Sequence, residues 1–221
     1  MAKLYIVATP IGNLKDITLH ALEVLKEVDL ILCEDTRVTK RLLEHYDIKT
    51  RVESYHQHSK ISKINHIIDL LKQGKNLALV SDSGTPGISD PGNKLISVLV
   101  NESMGDLEII PISGPSAITA IAGISGFPMD KFVFLGFPPH KKGRQKFFKE
   151  LAEYKYPVII YESPYRVIKT LNELVQINDF EIVIGRELSK KFETIYRGKI
   201  KDIIGKIELR GEFVIVLWKK S

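Results

Sequence analysis

The chain has 221 residues, of which 44% are hydrophobic and 27% charged, with 15 glycines, 10 prolines, one cysteine and a formal net charge of +5. That is the makeup of a globular protein with one large domain or two of about 110 residues, and it excludes disordered, collagen-like and disulfide-stapled classes. No apolar run approaches the roughly 20 residues that cross a bilayer, and Met1-Ala2-Lys3 leads straight into a strand-like segment without a signal-peptide pattern, so a cytoplasmic protein with no membrane partner is expected.

In chain order, short β-branched apolar runs predict strands at Leu4 to Ala8, Leu30 to Cys33, Arg51 to Ser54, Leu77 to Ser81 and Leu107 to Ile110. Stretches of helical period alternate with them at Thr18 to Glu27, Thr36 to His45, Ser59 to Lys72, Asn93 to Val100 and Pro115 to Ile124. Such alternation predicts a mainly parallel sheet under helices, because parallel neighbours need a crossover and each crossover covers a sheet face. From about residue 127 the texture changes. Strands are expected at Phe132 to Gly136, Val158 to Tyr161, Glu181 to Arg186, Thr194 to Arg197 and Glu212 to Trp218, with helices near Gln145 to Tyr154 and Val167 to Val175. The closing strands follow one another through short links, which predicts a mixed or antiparallel sheet. The fold class is therefore α/β, with domains at 1–113 and 114–221 divided near Ser113 to Pro115, where two turn-formers and a proline follow a strand.

Charge is uneven along the chain. Residues 1–137 hold 14 Lys and Arg against 16 Asp and Glu, whereas 138–221 hold 18 against 11. The basic half suits a polyanionic partner such as RNA, and an acidic small molecule fits as well. Cys33 and six scattered histidines make no metal site; His56 and His58 flank Gln57 without further spaced ligands.

In a doubly wound sheet, ligands sit at the carboxyl ends of the strands, so the loops leaving those ends are the candidate site. Thr9-Pro10-Ile11-Gly12-Asn13 leaves the first strand; it either lets a ligand approach the backbone or simply caps a helix. The segment SDSGTPGISDPG, Ser81 to Gly92, holds three glycines, two prolines and two aspartates. It either presents main-chain donors and acceptors to a ligand on a stiffened path or is a tight packing turn, and no lysine follows the glycines as in a Walker phosphate loop. Ser113 to Ala117 opens a helix, where a serine cap and a ligand contact are compatible. EDTR (Glu34 to Arg37) and ESPYR (Glu162 to Arg166) each close a strand with acid, hydroxyl and base, as surface helix caps or as a cleft lining.

TPIGN, EDTR, SDSGTPGISDPG, ISGPSA, GFPP and ESPYR, in this order and spacing, resemble the ribosomal RNA small subunit methyltransferase I family of the tetrapyrrole methylase superfamily, from Leu4 to about Leu217. The resemblance implies two α/β domains of the tetrapyrrole methylase type, with an active-site cleft between them that holds S-adenosyl-L-methionine. It implies 2′-O-ribose methylation of a cytidine in the decoding region of 16S ribosomal RNA, within the small ribosomal subunit, by a homodimer. Cofactor contacts are implied at Pro10, Thr85, Gly87, Ile88, Ser116 and Ala117, with Tyr161 and Gly211 less directly; Gly12 and Asp82 join them as members of the same loops. Many relatives continue past the final strand into a small further domain, whereas this sequence ends at Ser221, a difference that bears on ribosome affinity and not on the cleft chemistry.

Methyl transfer from a sulfonium is an in-line displacement that needs no metal, and orientation alone can supply about 7 to 11 kcal/mol. A carboxylate, or a water it orders, can take the hydroxyl proton. Asp35, Asp82 and Glu162 are the candidate bases, with Arg37 and Arg166 placing phosphates and His56 a further base; each acid also fits a structural cap. RNA docking is expected at Pro138 to Lys146 with Lys190, Lys191, Arg197, Lys199 and Lys201. Phe137, Tyr165 or Tyr55 could stack on an unpaired base, or belong to the core. Two alternatives stand beside this reading: a tetrapyrrole-precursor methyltransferase of the same superfamily, and a non-catalytic S-adenosylmethionine- or nucleotide-binding ribosome assembly factor. EDTR and the long glycine-proline loop favour the RNA branch over the first.

Overall fold

The computed structural model describes residues 2–56, 59–101 and 107–219. Gln57 and His58, and the Lys220-Ser221 end, lie outside the described residues. The chain divides into two compact units, Met1–Ser116 and Ala117–Ser221.

The first unit runs β1 (Lys3–Val7), α1 (Leu19–Glu27), β2 (Leu30–Cys33), α2 (Thr36–His45), β3 (Val52–Ser54), α3 (Ile61–Lys72), β4 (Leu77–Val80), α4 (Asn93–Asn101) and β5 (Glu108–Ile112). Its sheet has the order β3-β2-β4-β1-β5, and every pairing is parallel. The two-residue period of the strands sorts their side chains cleanly. Leu4 and Ile6, Leu30 and Leu32, and Leu77 and Leu79 pack with Ile64, Ile67 and Leu71 of α3 and Leu95 and Leu99 of α4. Val7, Ile31, Cys33, Ala78 and Val80 pack instead with Ala21, Val24 and Leu25 of α1 and Leu42 and Leu43 of α2. Both faces are therefore covered, which is why β2 and β4 are buried at every residue. Each such Leu or Ile contributes on the order of 1.5–3 kcal/mol relative to exposure. Thr18 and Asp35 cap the two helices of one face, accepting from the amides of Ala21 (3.1 Å) and Arg37 (2.8 Å).

The second unit contains α5 (Ala117–Ser125), β6 (Val133–Phe134), α6 (Arg144–Glu153), β7 (Val158–Glu162), α7 (Val167–Ile177), β8 (Glu181–Arg186), β9 (Thr194–Lys199), α8 (Ile200–Ile203) and β10 (Phe213–Trp218). Its sheet order is β6-β7-β10-β8-β9; only β6 and β7 are parallel, so the sheet is mixed. Val158, Ile160, Ile182, Ile184, Ile215 and Leu217 pack with Phe148 and Leu151 of α6 and Val167, Leu171 and Leu174 of α7. On the other face Gly185 lets α5 come close: a Cβ there would lie 3.0 Å from Ile121 Cδ1.

Several elements differ from the sequence expectation, most by one or two residues at an end. The strand expected at Phe132 to Gly136 shrinks to Val133–Phe134, because Gly136 takes a φ of +65° and Pro138 follows, although Leu135 and Gly136 still bond to β7. The helix expected from Pro115 begins at Ala117. The short helix α8 carried no periodic signal, being only four residues long.

Candidate active site

With α1 and α2 on one face and α3 and α4 on the other, the chain leaves neighbouring strands β1 and β4 in opposite directions. That is a topological switch point, and the crevice beyond the carboxyl ends of such strands is where open α/β sheets take ligands. The loops there are knitted together. Thr9 and Gly84 exchange backbone bonds at 2.8 and 3.1 Å. The buried Thr9 hydroxyl donates to Ser81 O at 3.0 Å, and the buried Ser81 hydroxyl donates to Gly84 O at 3.1 Å. Gly114 brings the β5 loop against Ala8, where a Cβ would lie 3.0 Å from Ala8 Cβ. Gly84 faces Ile11 and the Pro115 carbonyl at 3.6 and 3.9 Å by the same measure. TPIGN, the long loop and residues 113–116 thus converge within the first unit, as their placement after β1, β4 and β5 requires.

Pro10 is buried, Gly12 is exposed, Thr85 and Gly87 are half-buried, and Ile88 is exposed. The Asn93 side-chain amide donates to Gly87 O at 2.8 Å and closes the loop onto the start of α4. Gly87 has φ +84°, and a Cβ would fall 2.8 Å from Asn93 Oδ1, so only glycine holds this turn without strain. Ser116 and Ala117 are half-buried where the β5 loop enters α5.

Asp82 and Asp35 meet: Asp82 Oδ1 accepts from the Asp35 amide at 3.0 Å and ties the end of β4 to the end of β2. Asp35 itself caps α2 and is clamped by Arg37, whose guanidinium holds the carboxyl at about 2. A carboxylate that acidic is a poor proton acceptor near neutral pH, and Arg37 is engaged with it. Half-buried Asp82 is the acid of the three best placed to act at these loops. The exposed His56 donates its own amide to Ser59 Oγ at 2.8 Å. Tyr55 is 1% exposed within the α3/α4 core, so of its two readings the structure gives the core one and not base stacking. Burial pushes the Cys33 thiol up, away from the thiolate form.

The second unit corrects other expectations. Glu162 is 1% exposed and saturated: Oε1 accepts from Ser163 N at 2.7 Å and pairs with Arg166 at 2.8 Å, and Oε2 accepts from the Thr170 hydroxyl at 2.6 Å. Arg166 also donates to Pro138 O at 3.0 Å. Both residues fasten the proline loop to α7 and are not displayed for catalysis. Arg144, expected among the RNA-docking residues, is 4% exposed and donates to Glu173, Pro139 O and Thr170 while stacking on Phe148 at 4.9 Å. Arg197 caps the carboxyl end of α5 through Ser125 O at 3.0 Å. Lys199 pairs with Asp179, and Lys190 bridges Glu187 and Glu212. Lys191 and Lys201 are exposed, as is Phe137, and Tyr165 is 95% exposed. Tyr161 is half-buried against Phe134 and Phe137. Gly211 lies in the turn before β10, against the Glu187 side chain.

In the link from Arg186 to Thr194 the sequence pointed to Lys190 and Lys191 and not to Arg186. Buried Arg186 holds it through Arg210 O (2.7 Å) and Phe192 O (2.9 Å), and Glu187 and Ser189 take positive φ of 52° and 68°. The available signal was Arg186 itself, an arginine closing the largely apolar run Glu181–Arg186 where an apolar residue is expected. Among the described residues there is no cluster of three or more His, Cys, Asp or Glu able to hold a metal, and no helix long and apolar enough to cross a membrane.

The chemistry of the three converging loops is distinctive. Residues 9–13, 81–92 and 113–117 contain two carboxylates, Asp82 and Asp90, and no lysine or arginine. Such a surface repels polyphosphates and suits a cationic ligand with many hydrogen-bonding groups, which a sulfonium nucleoside is. Residues 3–204 match the family model for Tetrapyrrole (Corrin/Porphyrin) Methylases, and the class defined by this fold and these loops is that family. Solved structures share the architecture: diphthine synthase (TM-score 0.73, 16% identity, 100% of this chain and 91% of that one) and a cobalamin biosynthetic cobalt precorrin-4 methyltransferase (TM-score 0.72, 20% identity, 98% and 94%). The Ribosomal RNA small subunit methyltransferase I of Thermotoga maritima is 44% identical over 225 residues, covering all of both chains. That of Streptococcus pyogenes is 45% identical over 220 residues, covering 97% of this chain and 75% of its own. Within the class, this chain belongs to the ribosomal RNA small subunit methyltransferase I family.

Proposed function

We propose that the chain methylates the ribose 2′-hydroxyl of a cytidine in the decoding region of 16S ribosomal RNA, with S-adenosylmethionine as donor. The observation that carries this reading is identity of 44% along the entire length of a protein named for small-subunit ribosomal RNA methylation. The switch-point loops support it, being acidic, main-chain-rich and free of basic residues.

When bound, S-adenosylmethionine supplies an electrophilic methyl group on a sulfonium that leaves as a neutral thioether. The residues that would hold it are Pro10, Gly12, Thr85, Gly87, Ile88, Ser116 and Ala117, acting through their backbone, with Asp82 offering a carboxylate to a positive or hydrogen-bonding group. Asp82, directly or through one water, would take the proton that the ribose hydroxyl gives up as it accepts the methyl group and the methyl–sulfur bond breaks. Asp35 keeps Asp82 oriented through its amide and stays ionised under Arg37. The enzyme works in the cytoplasm, as a homodimer, on the small subunit or its precursor.

The test is incubation with methyl-labelled S-adenosylmethionine and, in parallel, small ribosomal subunits, naked 16S RNA and a tetrapyrrole precursor. Ribose label on one cytidine is expected. Label in the tetrapyrrole alone, or donor binding with no transfer to any acceptor, overturns the reading.

A further inference from the structure

The second unit, residues 117–221, has 19 Lys and Arg against 12 Asp and Glu, yet several of those cations are held in the ion pairs described above. Of the cations still displayed, Lys141, Lys146 and Lys169 gather around an open cavity of about 540 Å³ at the start of α6, which His140, Gly143 and Gln145 also line. Two acids stand near. Glu173, on the cavity wall, is neutralised by Arg144 at 2.7 Å, and Glu150 reaches Lys146 only at 3.6 Å with both side chains in solvent. The wall behind the cavity is rigid. Arg144 ties α6 to Thr170 and Glu173 of α7 and to the Pro139 carbonyl, so the lysines project from a fixed frame. The first turn of α6 follows Gly143, which has no side chain to cap it.

We infer that this cavity is a phosphodiester-binding site that docks the RNA substrate, with Lys141, Lys146 and Lys169 as its contacts and the Arg144–Glu162–Glu173 network as its scaffold. It rests on the proposed RNA substrate and adds a place on the second unit where the RNA backbone is gripped. A buried arginine that is already saturated does not contact phosphate; the exposed ammonium groups around it do, as point charges that fix register without reading sequence.

The test replaces Lys141, Lys146 and Lys169 together with Gln, beside a control in which Lys155 and Lys206 are changed. Binding to the small-subunit RNA is measured against salt, and methyl-donor binding by calorimetry. Each neutralised contact to single-stranded RNA removes about 0.7 from the slope of log K against log salt, so the triple variant should lose about 2 from that slope and roughly 10-fold or more in affinity near 0.1 M salt. The KM for RNA should rise while kcat at saturating RNA and donor affinity hold, and Lys→Arg at the three positions should restore binding. An unchanged slope, an equal loss in the control, or equally strong competition by polyglutamate overturns the site. If the wild-type chain binds RNA with this lysine-dependent slope but methylates none, the docking site stands and the proposed reaction falls.

Discussion

The carboxyl ends of β4 and β7 both deliver an acid out of a buried apolar strand, and the two acids meet opposite fates. Asp82 enters a glycine- and proline-rich loop, keeps its side chain half-buried, and has one oxygen on the Asp35 amide at 3.0 Å. Glu162 enters a loop backed by Arg144 and Arg166 and disappears, with both oxygens occupied. The surroundings decide. Where the bond to the acid comes from main chain, as from the Asp35 amide, a carboxylate oxygen stays available to a ligand. Where they offer guanidinium and hydroxyl groups, it becomes part of the frame, because a buried charge persists only when paired and hydrogen-bonded.

Glu162→Ala tests the frame most severely. It leaves Arg166 half-buried and Arg144 fully buried without their shared partner, and removing one member of such a network typically costs about 3–5 kcal/mol. Denaturant unfolding should show that loss, while Glu162→Gln, where it folds, should retain near-normal kcat. A folded Glu162→Gln with kcat down a hundredfold would return Glu162 to the chemistry. The matching change on the other side, Asp82→Asn, should lower kcat at saturating donor by roughly 10²-fold or more if the carboxylate takes the proton, since general-base contributions run about 10²–10⁴. Its stability should change little, because the Asn carbonyl oxygen can still accept from Asp35 N. Equal kcat in variant and wild type would leave catalysis to positioning alone.

The same contrast marks what the sequence disclosed. The strands of the first unit were readable because a parallel sheet covered on both faces makes them uninterrupted apolar runs such as Leu77 to Val80, whereas which face each side chain takes was not. The loops after β1, β4 and β5 were readable for a related reason: glycine and proline mark backbone geometry locally. The roles of Glu162, Arg144 and Arg197 were hidden, because pairing is a property of residues 8 to 72 positions apart, such as Thr170 with Glu162 and Arg197 with Ser125. ESPYR and EDTR look alike as strings, and only the partners brought up by α6 and α7 separate them.

Gly87→Ala gives a smaller effect that sharpens the loop side of the contrast. A Cβ at φ +84° and 2.8 Å from Asn93 Oδ1 forces the turn or Asn93 to move, at a cost of about 1–3 kcal/mol. Donor affinity should fall about 10-fold or more, which that strain is sufficient to produce, while RNA binding in the absence of donor should hold. A parallel loss of RNA binding would mean that the loop serves both ligands.

Asp35 offers the mildest break, through pH. Its carboxyl sits at about 2 in the folded chain against an ordinary 3.8, because Arg37 pairs with it and its amide bonds to it. A depressed folded value means that the ionised carboxylate stabilises the fold fully above the ordinary value, and that this stabilisation disappears as pH falls toward 2. Asp35→Asn keeps the helix cap but removes the charge, so the gap in unfolding midpoint between wild type and variant should be constant above pH 5 and narrow between about pH 4 and 2. Other acid-sensitive pairs, Glu53 with Lys63 and Glu187 with Lys190, act in the same window in both proteins and cancel in the difference. A gap that does not narrow would show that the Arg37 clamp is absent in solution, and Asp35 would again compete with Asp82 for the proton.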